Sequence, residues 1–270
     1  MRSPRLAWSV TLSFVTVVSL STTPIKGFAL HHPDSITVNA LGVLGDRDFF
    51  LVDQARDMFS PSKTGELAGY SASYEAIENV LTVSTAGEIV LQEEIHLGEP
   101  VSTKFFSKTE VQGHAVTGNW NEYFSEKLGR PVRLIKAGDQ RAGTDTGRLT
   151  LIGTGSLKAL LTSAKLLELD ARRFRMNIEV ETAEAHEEDG WLNQEFRIGS
   201  AIVRAGMPVQ RCVAANRNPD TGIVDLKTLK LIGDYRGRQQ SEFGMGFNFG
   251  IYFHCISPGV IKVGDNLVRM

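Results

Sequence analysis

Short β-prone runs separated by Gly-, Asp- and Ser-containing turns fill most of this chain, and only two stretches carry the apolar period of a helix. Phe14–Leu20, Ser35–Val38, Phe49–Val52 and Val80–Val83 are rich in the β-branched and aromatic residues that suit a pleated, half-buried surface. The first helical period runs from Gly118 to Lys127, with Trp120, Tyr123, Phe124 and Leu128 on one face. Gly129-Arg130-Pro131 stops it, and Val132–Ile135 returns to strand. A second helix is predicted from Ser156 to Leu169, with Ser156 as N-cap and Leu157, Leu160, Leu161, Ala164 and Leu167 as its apolar stripe. From Phe174 onward the pattern is strand again, closing with Val260–Val263. The polar, glycine-containing stretch Ala137–Gly143 is the predicted boundary between two domains, 11–136 and 142–268. The expected fold class is β-rich α+β, in two parts, with a few packing helices.

Composition narrows what such a fold can do. A hydrophobic content of 42% and a charged content of 22% are ordinary globular values. The net charge of −2 exerts no long-range pull on nucleic acid or on an anionic membrane surface, so no nucleic-acid partner is expected. An anion would have to bind at a local cluster of cations. Cys212 and Cys255 do not make a disulfide framework, and two thiols are too few for an iron–sulfur cluster held by four. A reducing, cytoplasmic location is the default. Arg2, Arg5 and the apolar run after them leave a second reading, export or membrane association, if residues 1–20 act as a signal. That run is too short and too interrupted by Ser and Thr for a membrane span. The strand reading is preferred.

Among candidate reactive groups Cys212 stands out. It follows a predicted strand and Arg211, and it precedes the polar turn Asn216–Gly222. A neighbouring cation favours thiolate, the form that attacks electrophiles and ligates soft metals. The bland alternative is a small buried hydrophobe. Asp46-Arg47 reads equally as a structural ion pair at a strand end. His31-His32 lacks supporting ligands and reads as a solvated loop. Gly153-Thr154-Gly155 and Gly244-Met245-Gly246 read as turns, Cys255 as a core thiol, and Glu184–Asp189 as a solvated acidic turn.

Several runs together, in order and spacing, resemble the molybdenum cofactor sulfurase C-terminal (MOSC) family in the form with an N-terminal β-barrel domain. They include Thr23-Pro24-Ile25-Lys26-Gly27, Gly45-Asp46-Arg47-Asp48-Phe49, Leu128-Gly129-Arg130-Pro131, Thr144-Asp145-Thr146, Arg173-Phe174-Arg175-Met176-Asn177, Arg211-Cys212, Asn218-Pro219-Asp220-Thr221-Gly222 and Phe249-Gly250-Ile251-Tyr252-Phe253. The resemblance covers about residues 12 to 268. It implies an N-terminal MOSC β-barrel domain packed against a C-terminal MOSC β-barrel domain, with Phe14–Leu20 as the first barrel strand. It also implies the molybdenum cofactor, molybdopterin. Cys212 would be the metal-bound thiolate and Asp145 would lie close to the metal, these two forming the catalytic pair. Lys26, Arg47, Arg175 and Arg211 would hold the pterin and its phosphate. Thr146, Asn177 and Tyr252 would add neutral hydrogen bonds, and Gly27 and Gln210 belong to the same cofactor-binding set.

The chemistry is consistent with those assignments. A phosphate monoester carries about −1.5 to −2 charge at neutral pH, which arginine meets with a planar fork and lysine with a compact charge. One departure stands out: the family commonly has Ser or Thr where this chain has Gly27. The expectation is weaker binding there, or replacement by a backbone N–H, with the site retained. The resemblance implies an oxidoreductase that reduces N-hydroxylated small molecules. Electrons would come from a separate donor protein, whether cytochrome b5-like, ferredoxin-like or a flavoprotein. Two alternatives remain, a sulfur carrier using a Cys212 persulfide and a non-catalytic cofactor-binding module. The sulfurase that names the family has a separate pyridoxal-phosphate desulfurase domain, for which this chain has no room.

Overall fold

In the computed structural model of the protein, residues 15–105, 109–138, 149–241 and 243–270 are described. Seven strands close a barrel. In spatial order they are Val15–Leu20, Ile178–Val180, Leu149–Gly153, Asn248–Ser257, Ala201–Gln210, Glu195–Ile198 and Asn266–Arg269. The β-branched run near the N-terminus is therefore the strand that seals the barrel, pairing with Ile178–Val180 on one side and Asn266–Arg269 on the other. Closure matters because it leaves no strand edge unpaired. Val17, Leu20, Leu151, Ile178, Val203, Ile251, Phe253 and Leu267 meet in one apolar cluster. The Asn248–Ser257 strand is buried on both faces over its first half. Ile251 and Phe253 join the barrel cluster, while Phe249 and Tyr252 join a second cluster beneath the helices.

The N-terminal part is built on a four-stranded sheet, Phe49–Asp53, Val132–Ala137, Thr109–Thr117 and His96–Phe105, with a three-stranded sheet of Tyr70–Glu75, Val80–Thr85 and Glu88–Glu94. Helix α1 (Trp120–Leu128) seals it by burying Trp120 and Phe124 with Phe28, Phe49 and Leu134. Gly129, at φ 63, caps the helix in the left-handed conformation that glycine adopts without a Cβ penalty. A small antiparallel sheet pairs Gly259–Lys262 with Ser35–Asn39, joining the two parts. No helix among the described residues is long and apolar enough to cross a membrane.

Two helical expectations need correction. Helix α2 spans Thr154–Ser163, so it starts earlier and stops sooner than Ser156–Leu169. Its end is a two-bond cap, Lys165 N–H to Thr162 O at 3.1 Å and Leu166 N–H to Leu161 O at 3.1 Å, with Lys165 itself at φ 53. Leu167 lies beyond that cap and is fully exposed, so it is not part of the apolar stripe. Its N-terminus is held by the side chain of Glu188, which accepts from Ser156 Oγ at 2.7 Å and Gly153 N at 3.3 Å. The segment Glu184–Asp189 is therefore not simply solvated, since Glu188 is fully buried and burial raises its pKa. A third helix, α3 (Thr228–Arg236), lies where strand was expected, and its Ile232 and Tyr235 pack into the cluster that holds Phe174 and Phe249.

Candidate functional site

One cleft between the two parts gathers most of the singled-out residues. Lys26, Arg47, Arg175, Arg211, Cys212 and Tyr252 all line it, and Arg173 joins them. The cleft opens to solvent, and about 750 Å³ of space, part of it open solvent, lies between its walls. Among the described residues no carboxylate lines it. Phe174, Met176 and Val209 supply apolar wall, and Ser60, Pro61 and Ser62 close it from the N-terminal part.

Each cation arrives by a specific local device. The backbone of Lys26 bonds to Phe49 O at 2.9 Å, docking the segment after the first barrel strand onto the four-stranded sheet, and Lys26 is only 4% exposed. Arg47 and Arg175 adopt left-handed backbone at φ 55 and φ 50, costing roughly 1–3 kcal/mol each for residues with a Cβ. Arg175 ends the short helical turn Ala171–Phe174, which explains its conformation. Arg47 Nη2 donates to Arg175 O at 3.0 Å, so the two strained residues brace each other across the domain junction. Arg175 Nη2 donates to Phe28 O at 2.7 Å. Arg211 donates to Phe249 O at 2.9 Å and Phe174 O at 2.8 Å, with its guanidinium 5.2 Å above the Phe174 ring. These bonds to carbonyls orient the guanidinium groups without adding a negative charge. Arg173 instead pairs with Asp225, whose carboxyl it pulls down to about 2.

Cys212 is exposed at the end of the Ala201–Gln210 strand and caps the turn Val213–Asn216. Cys255 is half-buried against the barrel core, where burial raises its thiol pKa.

Behind the cations stands a buried hub at Asp46-Arg47, where the sequence left a structural ion pair as one of two readings. Asp46, 1% exposed, accepts from Arg47 Nη1 at 2.5 Å, Asn177 Nδ2 at 3.0 Å and Thr23 N at 2.9 Å. It links the Lys26 segment, Arg47 and the barrel. Asn177 does not line the cleft. Its amide donates to Asp46 and Ser21 O, and its Oδ1 accepts from Thr150 N and Oγ1. Gln210 and Gly27 are likewise off this wall. Gln210 accepts from Ser241 Oγ at 3.0 Å, and Gly27 faces an adjoining depression. Gly27 sits at φ 94, and an added Cβ would lie 3.3 Å from Leu67 Cδ1, so no residue with a side chain fits without strain. Asp145 and Thr146 lie outside the described residues. Sequence reading missed Arg173 as a wall residue, along with Ser60 and Ser62. The Ser-Pro-Ser run carries only an ordinary turn signal.

The architecture and this cleft define a class. Residues 138–268 match the MOSC domain, and residues 14–131 match the MOSC N-terminal beta barrel domain, so the chain belongs to the MOSC family. Human mitochondrial amidoxime-reducing component 1 is 26% identical to it over 249 residues, covering 83% of this chain and 72% of that protein. Human mitochondrial amidoxime reducing component 2 is 36% identical over 123 residues, covering 41% of this chain and 36% of that protein. The molybdenum cofactor sulfurase of Solanum lycopersicum is 23% identical over 292 residues; that match spans 93% of this chain and only 35% of the sulfurase. The crystal structure of YuaD from Bacillus subtilis superposes with a TM-score of 0.46 at 9% identity, over 94% of this chain and 93% of that one.

Proposed function

We propose that this chain binds the molybdenum cofactor in the cleft and reduces N-hydroxylated compounds with electrons from a separate donor protein. The observation that carries the reading is an exposed thiol, Cys212, on a cleft with five cationic side chains and no carboxylate among its described lining residues. That donor set fits the group. The thiol offers a soft ligand for molybdenum, and the cations answer the pterin phosphate, of about −1.5 to −2 charge. When bound, the cofactor supplies the two-electron redox step.

The protein's residues do the remaining work. Arg211 and Arg175, fixed by carbonyl acceptors, present planar donors to oxyanion oxygens. Buried Lys26 adds a compact charge, and burial reduces the screening it meets. Phe174 and Val209 shield one wall from solvent. Asp145 is carried in this proposal as the carboxylate that handles protons near the metal. With two cysteines in the chain, electrons are assigned to a separate protein rather than to a resident iron–sulfur cluster. The test is purified holo-protein supplied with an artificial reductant and an amidoxime or hydroxylamine. Absence of turnover at full molybdenum loading would refute the activity.

A second reading, sulfur carriage by a Cys212 persulfide, draws on the exposure of that thiol and on the sulfurase among the relatives. Mass spectrometry after incubation with a cysteine desulfurase separates the two. A persulfide on Cys212 without bound molybdenum would favour carriage.

A further inference from the structure

We infer that Ser60 and Ser62 are the neutral half of the anion site, donating hydrogen bonds to the oxygens of a phosphate monoester that the cations attract. This rests on the cofactor reading above, with the pterin phosphate as the occupant. Both serines line the same cleft as Lys26, Arg47, Arg175 and Arg211. Ser60 is 6% exposed, and its Oγ lies 2.8 Å from Ser62 Oγ. One hydroxyl proton is used within that pair, leaving the other available to a ligand, and parting the pair would free both.

The serine side chains are not what holds this loop in place. Pro61 O accepts from Arg217 Nε at 2.7 Å, and Lys63 N and Thr64 N donate to Ser60 O at 2.9 and 3.0 Å. Glu66 pairs with Arg130 at 2.5 Å. Gly65 and Gly222 approach so closely that a Cβ on Gly65 would sit 2.0 Å from Gly222 O. The loop is thus clamped through its backbone and flanks, while the two hydroxyls meet over a cation-lined space.

The position beside Lys26 explains why the donors come from this loop. Gly27 has no side chain to offer, and the direction a Cβ would take is filled by Leu67 Cδ1 at 3.3 Å and Pro61 Cδ at 3.9 Å. The same loop that occupies that space brings serines on both sides of Pro61. Cations set the charge of the site, but phosphate oxygens accept more hydrogen bonds than charge alone requires, and buried hydroxyls meet that need.

The experiment uses the full chain in two arms. In the first, inorganic phosphate is titrated calorimetrically into cofactor-free protein. In the second, pterin retained per chain is measured by fluorescence after purification from a cofactor-competent host and dialysis. One to two lost neutral hydrogen bonds predict phosphate binding about five- to thirtyfold weaker in S60A/S62A. The hydroxyl-preserving S62T should stay within about twofold of the native protein. S62D, at a partly exposed position, should abolish phosphate binding and pterin retention while its urea midpoint stays near that of the native chain. The inference is overturned if S60A/S62A binds phosphate and keeps pterin as the native chain does, whatever S62D shows. Serine-dependent phosphate binding without retained pterin would keep the oxyanion site and remove the cofactor. Retained pterin indifferent to both serines would do the reverse. Native protein that binds neither would remove both.

Discussion

Substituting Asp46 tests whether the cleft depends on a buried hub rather than on independent surface cations. The carboxylate is 1% exposed and accepts three hydrogen bonds, one of them from Arg47, itself 13% exposed. Removing one member of a buried ion pair costs about 3–5 kcal/mol, because the other charge stays behind without compensation. That exceeds the roughly 1–3 kcal/mol of backbone strain carried by Arg47 at φ 55, so the pair can hold the strained residue in place. Asp46→Ala should therefore lower stability by about 3–5 kcal/mol. Asp46→Asn should not rescue it. An amide whose oxygen accepts from Thr23 N turns its NH2 toward the Arg47 and Asn177 donors. Removing both charges in Asp46→Asn/Arg47→Met should cost less than the two single changes summed, with a coupling of about 0.5–3 kcal/mol. Urea unfolding followed by tryptophan fluorescence and circular dichroism supplies the midpoints. Losses below about 1 kcal/mol for both Asp46 variants, or strict additivity in the cycle, would refute the reasoning.

The two thiols should be kinetically distinct toward an aromatic disulfide reagent near pH 7.5. Exposed Cys212 reacts first, half-buried Cys255 at least about tenfold more slowly, and Cys212→Ser removes the fast phase alone. The fold depresses the pKa of His186 to about 4, through burial and then the Arg236 charge. The unfolded chain therefore binds the extra proton first, and stability falls as pH drops from about 6.5 toward 4. Solvent screening of this half-buried ring limits the loss to about 1–2 kcal/mol, and thermal unfolding of His186→Gln should show a flatter profile across that window. Lys165→Gly should raise stability by about 0.5–1 kcal/mol, because it places glycine at the left-handed position that ends α2; a lower melting temperature would contradict that.

What the sequence made legible follows its local signals. The β-branched run before Pro24 is a barrel strand, and Gly129-Arg130-Pro131 ends α1 as written. Where a local signal was missing, the reading failed for a physical reason. The end of α2 carries lysine, not glycine, at its left-handed cap, so nothing in the residue types announced it. Gly233 inside α3 masked that helix. A Cβ there would lie 2.7 Å from Phe247 Cε1, a constraint set by a residue between two distant strands. The cations of the cleft were legible only through resemblance, since no period of two or 3.6 residues links Lys26, Arg47, Arg175 and Arg211. Asn177 shows the limit most clearly. The resemblance implied a hydrogen bond to the cofactor, and in the fold its amide is engaged by Ser21, Asp46 and Thr150. Hydrogen-bonding capacity belongs to a residue, but its use is decided by what the fold brings near. Arg211 reaches Phe174 O across 37 positions, and Arg217 reaches Pro61 O across 156. Periodicity reports neighbours within one element, so a wall assembled from such distant bonds becomes visible only once both parts are packed.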